Sequence, residues 1–233
     1  MATPVFLRSV TSAPLREDQM IINDVRCFGD WELIKEFKNN VAVFGNSGSR
    51  VSIMNVNRTP SETTLGVDLI YCNEMFSSYI LVQYKRLTGS GREKKCRLDG
   101  DEHFSKELNR MTEAERLLEM KQNQDKNFHI LGYRISQEAF YFKFCQDMQE
   151  IETKGLCAGM YLPKSYILRL IDLGWKSVSR ESVDRHLNNT QFIENVKSGF
   201  FGSSGLTSQN ISKLISEVLG SGKSIILASH FKA

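Results

Sequence analysis

The chain is short of the residue patterns that would make its chemistry obvious. Its 233 residues include only five cysteines, at positions 27, 72, 96, 145 and 157, with no CxxC pair and no histidine at ligand spacing. That spacing excludes a structural zinc site, and the odd, scattered count points to reduced thiols. The four histidines, His103, His129, His186 and His230, are equally dispersed, and none has the neighbours of a nucleophilic triad. No apolar run approaches the roughly 18 residues of a membrane span. The first ten residues, MATPVFLRSV, carry neither the apolar stretch nor the cleavage pattern of an export signal, so a cytoplasmic protein with no membrane contact is expected. A large excess of one charge is missing too. The net charge is only +3, so any nucleic-acid binding has to come from local clustering. The run GSGKS at 220–224 is no P-loop, because Glu217 stands where that motif needs its first glycine. Repeats, heptads and low-complexity tracts are absent.

What remains is the composition of a soluble globular protein, 41% hydrophobic and 24% charged, long enough to bury a sizeable core. Residues 1–25 read as an extended lead-in with a strand at 20–22. FGDWELIKEFKNN, residues 28–40, reads as a helix with Asp30 as N-cap and Trp31, Ile34 and Phe37 at helical spacing. VAVFG and VSIMNV read as strands around the turn GNSGSR, and NRTPSETT as a polar loop. Residues 99–124 form the strongest helical pattern, with Phe104, Leu108, Met111 and Leu118 as its apolar stripe and a break near Thr112. HILGYRI and AFYFKFC follow as strands. The composition changes beyond residue 150. ETKGLCAGMYLPKS reads as a loop, the following segments as three helices ended by glycines, and SIILASHF as a final strand. The division expected is therefore 1–150 and a mainly helical 151–233, which either completes the core or docks partner proteins, a choice the residues leave open.

The stretch GVDLIYCNEMFSSYILVQYKRL, residues 66–87, holds the chemistry. Two apolar runs flank a connection with the Asn and Ser of a reversal, which predicts a β-hairpin. Centring the loop at Met75 and Phe76 sets Asp68 opposite Gln83, with Cβ atoms roughly 4.5–5.5 Å apart. Lys85, two residues beyond Gln83, projects from the same face. A structural ion pair is the plainer reading of these residues, but such pairs add little net stability once desolvation is counted. YILV before Gln83 argues for a strand covered on both faces rather than an edge in water.

GVDL followed by LVQYKRL resembles the core of the PD-(D/E)xK nuclease superfamily, and within it the Mrr-type restriction endonucleases with their GxD and QxKR signature. The resemblance is close over 66–87, looser over about 24–145, and absent from the last ninety or so residues. It implies an α/β (α+β) restriction-endonuclease-like core, a mixed sheet flanked by helices in αβββαβ order. It also implies a magnesium- or manganese-dependent DNA endonuclease of prokaryotic restriction or anti-phage defence. Asp68 would bind the metal, Gln83 would assist coordination, and Lys85 would orient the attacking water. The family adds a glutamate from the preceding helix. Glu36 is preferred as the third metal ligand, with Glu32 and Glu62 as alternatives.

Arg86, Arg92, Lys94, Lys95 and Arg97 form a basic run just after the QxK strand, interrupted by Gly89 and Gly91. It suits contact with a DNA backbone, although a solvated surface loop explains it as well. A chain that has lost cleavage and serves as a nucleic-acid-binding or interaction subunit of a larger defence complex is the competing expectation. A sensor or recognition subunit and a second copy of the chain both stay open as partners.

Overall fold

The computed structural model describes residues 10–38, 40–46, 48–90, 93–119, 132–150 and 155–221. The chain opens with β1 (Ser12–Pro14) and α1 (Glu17–Asp24), then β2 (Glu32–Phe37), β3 (Val41–Gly45) and β4 (Arg50–Asn55). After α2 (Pro60–Leu65) come β5 (Leu69–Asn73), β6 (Ser78–Leu87) and β7 (Lys95–Arg97). α3 (Glu102–Glu119) leads to β8 (Phe140–Gln146), β9 (Met148–Glu150) and β10 (Gly159–Pro163). α4 (Lys164–Asp172), β11 (Ser177–Ser179), α5 (Asn189–Lys197) and α6 (Gly205–Ser221) complete the order.

Seven strands make one mixed sheet in the order β10-β8-β6-β5-β4-β3-β2. Neighbours are antiparallel except β6 and β8, which run parallel, from Leu81 opposite Phe140 to Leu87 opposite Gln146. A parallel pair needs a long crossover, and α3 lies within it. Period-two alternation sorts the central side chains onto two faces. Leu81 and Leu87 of β6, with Phe140, Phe142 and Phe144 of β8, form a core with Phe104, Leu108 and Met111 of α3 and with α4 and α6. Phe104 stacks on Phe142 with ring centroids 5.2 Å apart. On the opposite face Ile80, Val82 and Tyr84 of β6 meet Met20 and Ile21 of α1 and Phe192 of α5. The result is a mixed α/β layer structure with helices on both faces of a large sheet. The composition change at residue 150 has no counterpart in this packing. β10 pairs with β8, and Phe192 stacks on Tyr161 at 3.9 Å, so the later segments build the same two cores.

The strand pairs β3–β4 and β5–β6 and the helix α3 match the sequence reading, although α3 runs through Thr112 without a break. Several elements differ. The helix read over 28–40 is the edge strand β2, all six residues of which are exposed. ELIKEF satisfies either period over so short a length, and the hairpin partner β3 decides for strand. The strand read at 20–22 lies inside α1, where Met20 and Ile21 face the sheet and Glu17 and Asp18 sit in the first turn. NRTPSETT, read as a loop, runs into α2 from Pro60 on, and the loop read over ETKGLCAGMYLPKS contains β10. Of HILGYRI, residues 129–131 lie outside the described residues, and 132–135 are not strand. SIILASHF also lies outside them.

Candidate functional site

Gly66 prepares the site. It caps α2 in the left-handed region at φ 68°, where a Cβ would meet the Glu107 carbonyl oxygen at 2.7 Å. Only glycine takes that conformation at so close an approach without strain. Two residues later Asp68 enters the ladder beside β6. The pairing begins with Leu69 opposite Val82, and the Asp68 amide donates to that same Val82 carbonyl at 2.9 Å, so the ladder slips by one residue at Asp68 and the expected strict pairing of Asp68 with Gln83 is not kept. A four-residue turn at Glu74, Met75, Phe76 and Ser77 sets the β5–β6 register, as the hairpin reading requires.

Asp68, Gln83 and Lys85 share the α3 side of the sheet and are all buried, at 5%, 3% and 8% exposure. The amide of Tyr84 donates to Asp68 Oδ2 at 2.7 Å and fixes the carboxyl. Gln83 donates through Nε2 to the Tyr84 carbonyl at 3.2 Å, while its Oε1 is buried with no hydrogen-bond partner. Lys85 Nζ is ion-paired with Glu107 of α3. A cavity of about 440 Å³ is lined by Asp68, Gln83 and Glu107 together with Arg16, Glu17, Asp18, Asn57, Arg58, Glu62 and Arg86, while Lys85 reaches it only through its ion pair with Glu107. Glu17 Oε1 accepts from the Arg86 amide at 2.7 Å, so the first turn of α1 is tied to the end of β6.

The charges in this cavity are frustrated. Burial, followed by the repulsion of Glu62, Glu107 and Glu17, pushes the Asp68 carboxyl up to about 8 against the pull of the Tyr84 amide. Burial works against the Lys85 ammonium, but the charge of Glu107 outweighs it and holds the lysine above its ordinary value. Burial likewise raises Glu107, with Lys85 opposing. Several acids crowd one lysine, and an amide oxygen is left unpaired. An added cation would relieve both conditions.

Among the described residues no three of His, Cys, Asp and Glu form a ready-made metal cage. Magnesium does not require one. It binds through one or two carboxylates and completes its shell with water and substrate phosphates. Asp68 and the orphaned Gln83 oxygen fit that description.

The remaining expected residues fall elsewhere. Glu36 and Glu32 sit on β2, three strand spacings from β5, or roughly 14 Å. Glu36 is exposed and accepts from Arg26 Nε at 3.1 Å. The third-ligand assignment to Glu36 is therefore corrected: it rested on a helix that does not exist, and the glutamates that do reach the cavity are Glu17, Glu62 and Glu107. Glu62 was among the alternatives. Glu17 and Glu107 were missed, although acids just before MIIND are a helix-start signal that a strand reading hides. Of the basic run, Arg86 lines the cavity, Lys94 pairs with Asp147 at 2.5 Å, Lys95 and Arg97 are exposed on β7, and Arg92 lies outside the described residues. The five cysteines are free thiols, and burial pushes Cys96 and Cys157 up to about 12, so neither is a reactive nucleophile. No helix among the described residues is long and apolar enough to cross a membrane. Compared with protein-family models, curated proteins and solved structures, the chain matches none of them.

Proposed function

We propose that this chain is a metal-dependent endonuclease of the PD-(D/E)xK type that hydrolyses phosphodiester bonds in DNA. The observation that carries the reading is the buried, unpartnered Oε1 of Gln83 beside a carboxyl that repulsion and burial have pushed up to about 8. If β2, β3, α2 and β7 are taken as additions, the order α1, β4, β5, β6, α3 and β8, with β8 parallel to β6, is compatible with an αβββαβ core. Asp68 and Gln83 would hold magnesium or manganese, with Glu17 or Glu62 within the same cavity. Such an ion supplies an activated water and charge stabilisation at the phosphate. Tyr84 keeps the Asp68 carboxyl in one orientation through its amide. Lys85, kept charged by Glu107, places an ammonium where negative charge develops on the phosphate oxygens. A role against invading DNA follows from the resemblance to restriction enzymes.

The test is incubation of purified protein with supercoiled plasmid, single-stranded DNA and RNA in magnesium, manganese or EDTA. Metal-dependent nicking that falls by about 10²-fold or more in Asp68→Ala and Lys85→Ala is expected. Cleavage that persists in EDTA, or in both variants, rejects the assignment. A second reading, nucleic-acid binding without cleavage, draws on the ion pair between Lys85 and Glu107, which occupies the catalytic ammonium. Salt-sensitive DNA binding with no cleavage in any metal would select it.

A further inference from the structure

The mouth of the cavity carries a feature that neither the hairpin nor the basic run explains. Asp18 Oδ2 accepts from Arg16 Nη2 at 2.8 Å and from Arg58 Nη2 at 3.2 Å. Two guanidinium groups from separate segments, one before α1 and one before α2, are thus gathered on a single carboxylate oxygen. Their side chains stay 71% and 77% exposed, whereas Asp18 is only 19% exposed. Each guanidinium has five N–H donors and spends few on Asp18, so most face solvent above the acidic floor.

Stability does not account for this arrangement. Exposed ion pairs contribute about 0–1 kcal/mol, and here two like charges are brought side by side with one acid between them. Arg58 also adopts φ 60°, a left-handed conformation that costs a bulky residue energy, and Glu62 holds it there by accepting from its amide. A strained arginine, fixed by one wall of the cavity and aimed at a second arginine, is organised for an anion. Paired arginines bind phosphate bidentately.

Resting on the endonuclease reading, we propose that Arg16 and Arg58, bridged by Asp18, form a phosphate clamp for the nucleotide next to the scissile bond. The scissile phosphate belongs on the floor, against Asp68 and Gln83. The rim pair then needs a second phosphate on the same strand, so the substrate class is a polynucleotide and not a mononucleotide or small diester. Contacts of this kind position the strand without reading its sequence.

The experiment compares the parent, Arg16→Ala/Arg58→Ala and the exposed control Lys213→Ala on two substrates, a labelled oligonucleotide and bis(p-nitrophenyl) phosphate, in magnesium. The double variant is expected to lose at least tenfold in its preference for the oligonucleotide over the small diester, chiefly through KM. Binding of the oligonucleotide in EDTA, followed by fluorescence anisotropy across a salt series, should weaken, with the salt slope shallower by about one per arginine removed. Equal loss on both substrates, or an unchanged salt slope, overturns the clamp while leaving the endonuclease assignment standing. Failure of the parent to hydrolyse either substrate in any metal overturns that assignment instead, and the anisotropy series still decides the clamp.

Discussion

The protonation of Asp68 is the most sensitive reporter of the site. In an unfolded chain an aspartate titrates near 3.9. Folding raises it to about 8, because burial and then the neighbouring acids oppose its charge. Between these values the folded protein holds a proton that the unfolded chain has released. The stability linked to this group is therefore whole below about pH 4 and lost as pH climbs through about 8. Asp68→Asn cannot ionise and escapes that loss. In EDTA its melting temperature should gain on the parent by roughly 10–20 °C between pH 4 and pH 9, since each of the about four pH units of the window is worth about 1.4 kcal/mol. A gap that is the same at both pH values would show that the carboxyl is ordinary. The register of β5 on β6 was readable from the letters alone, because period-two alternation and a short loop leave one register that buries both strands. The environment of Asp68 was not, since Glu17, Glu62 and Glu107 reach it from three different elements.

At the level of elements, α1 is held on the sheet by a charged network buried on the face opposite Lys85. Asp24 and Lys143 are both fully buried and ion-paired at 2.5 Å, and Tyr84 Oη donates to Asp24 at 2.8 Å. Burial opposes the Lys143 ammonium, but Asp24 outweighs it and holds the lysine well above its ordinary value. Tyr84 links this network to the site, since its amide holds Asp68 and its ring reaches Asp24. Asp24→Ala strands a buried ammonium and should cost about 3–5 kcal/mol in urea unfolding. Adding Lys143→Met should recover most of that loss, and a double variant no more stable than the single would refute the account. β2 shows the opposite condition, an edge with Leu33, Ile34 and Phe37 exposed. A bulge between Leu33 and Lys35 and the Lys35 ammonium 4.4 Å from the Phe37 ring centre blunt its capacity to recruit further strands.

Across the whole molecule, the segments after residue 150 close both cores. β10 covers β8, α5 brings Phe192 against Tyr71, Tyr141 and Tyr161, and α6 lays Ile211, Leu214 and Ile215 on the α3 side. Cutting the chain at residue 150 exposes these aromatic and aliphatic surfaces together. The fragment 1–150 is expected to lack a cooperative thermal transition and to bind a hydrophobic dye such as ANS. A sharp transition in that fragment would establish an independent N-terminal unit. The composition change at 150 left two roles open for the later segments, completing the core or docking a partner. Packing selects the first, since a strand of five residues, Gly159–Pro163, carries the join.

Local pattern by itself determined the hairpin from Leu69 to Leu87, its register, and the apolar stripe of α3. In these segments one periodicity is strong enough to exclude the alternatives. Tertiary structure alone decided that ELIKEF is a strand, that EDQMIIND is a helix, and that the acids facing Asp68 are Glu17, Glu62 and Glu107 rather than Glu36. Short segments satisfy two periodicities equally, so the pairing partner and the buried face choose between them. A carboxylate's neighbours in space depend on how distant elements pack, which no spacing along the chain records.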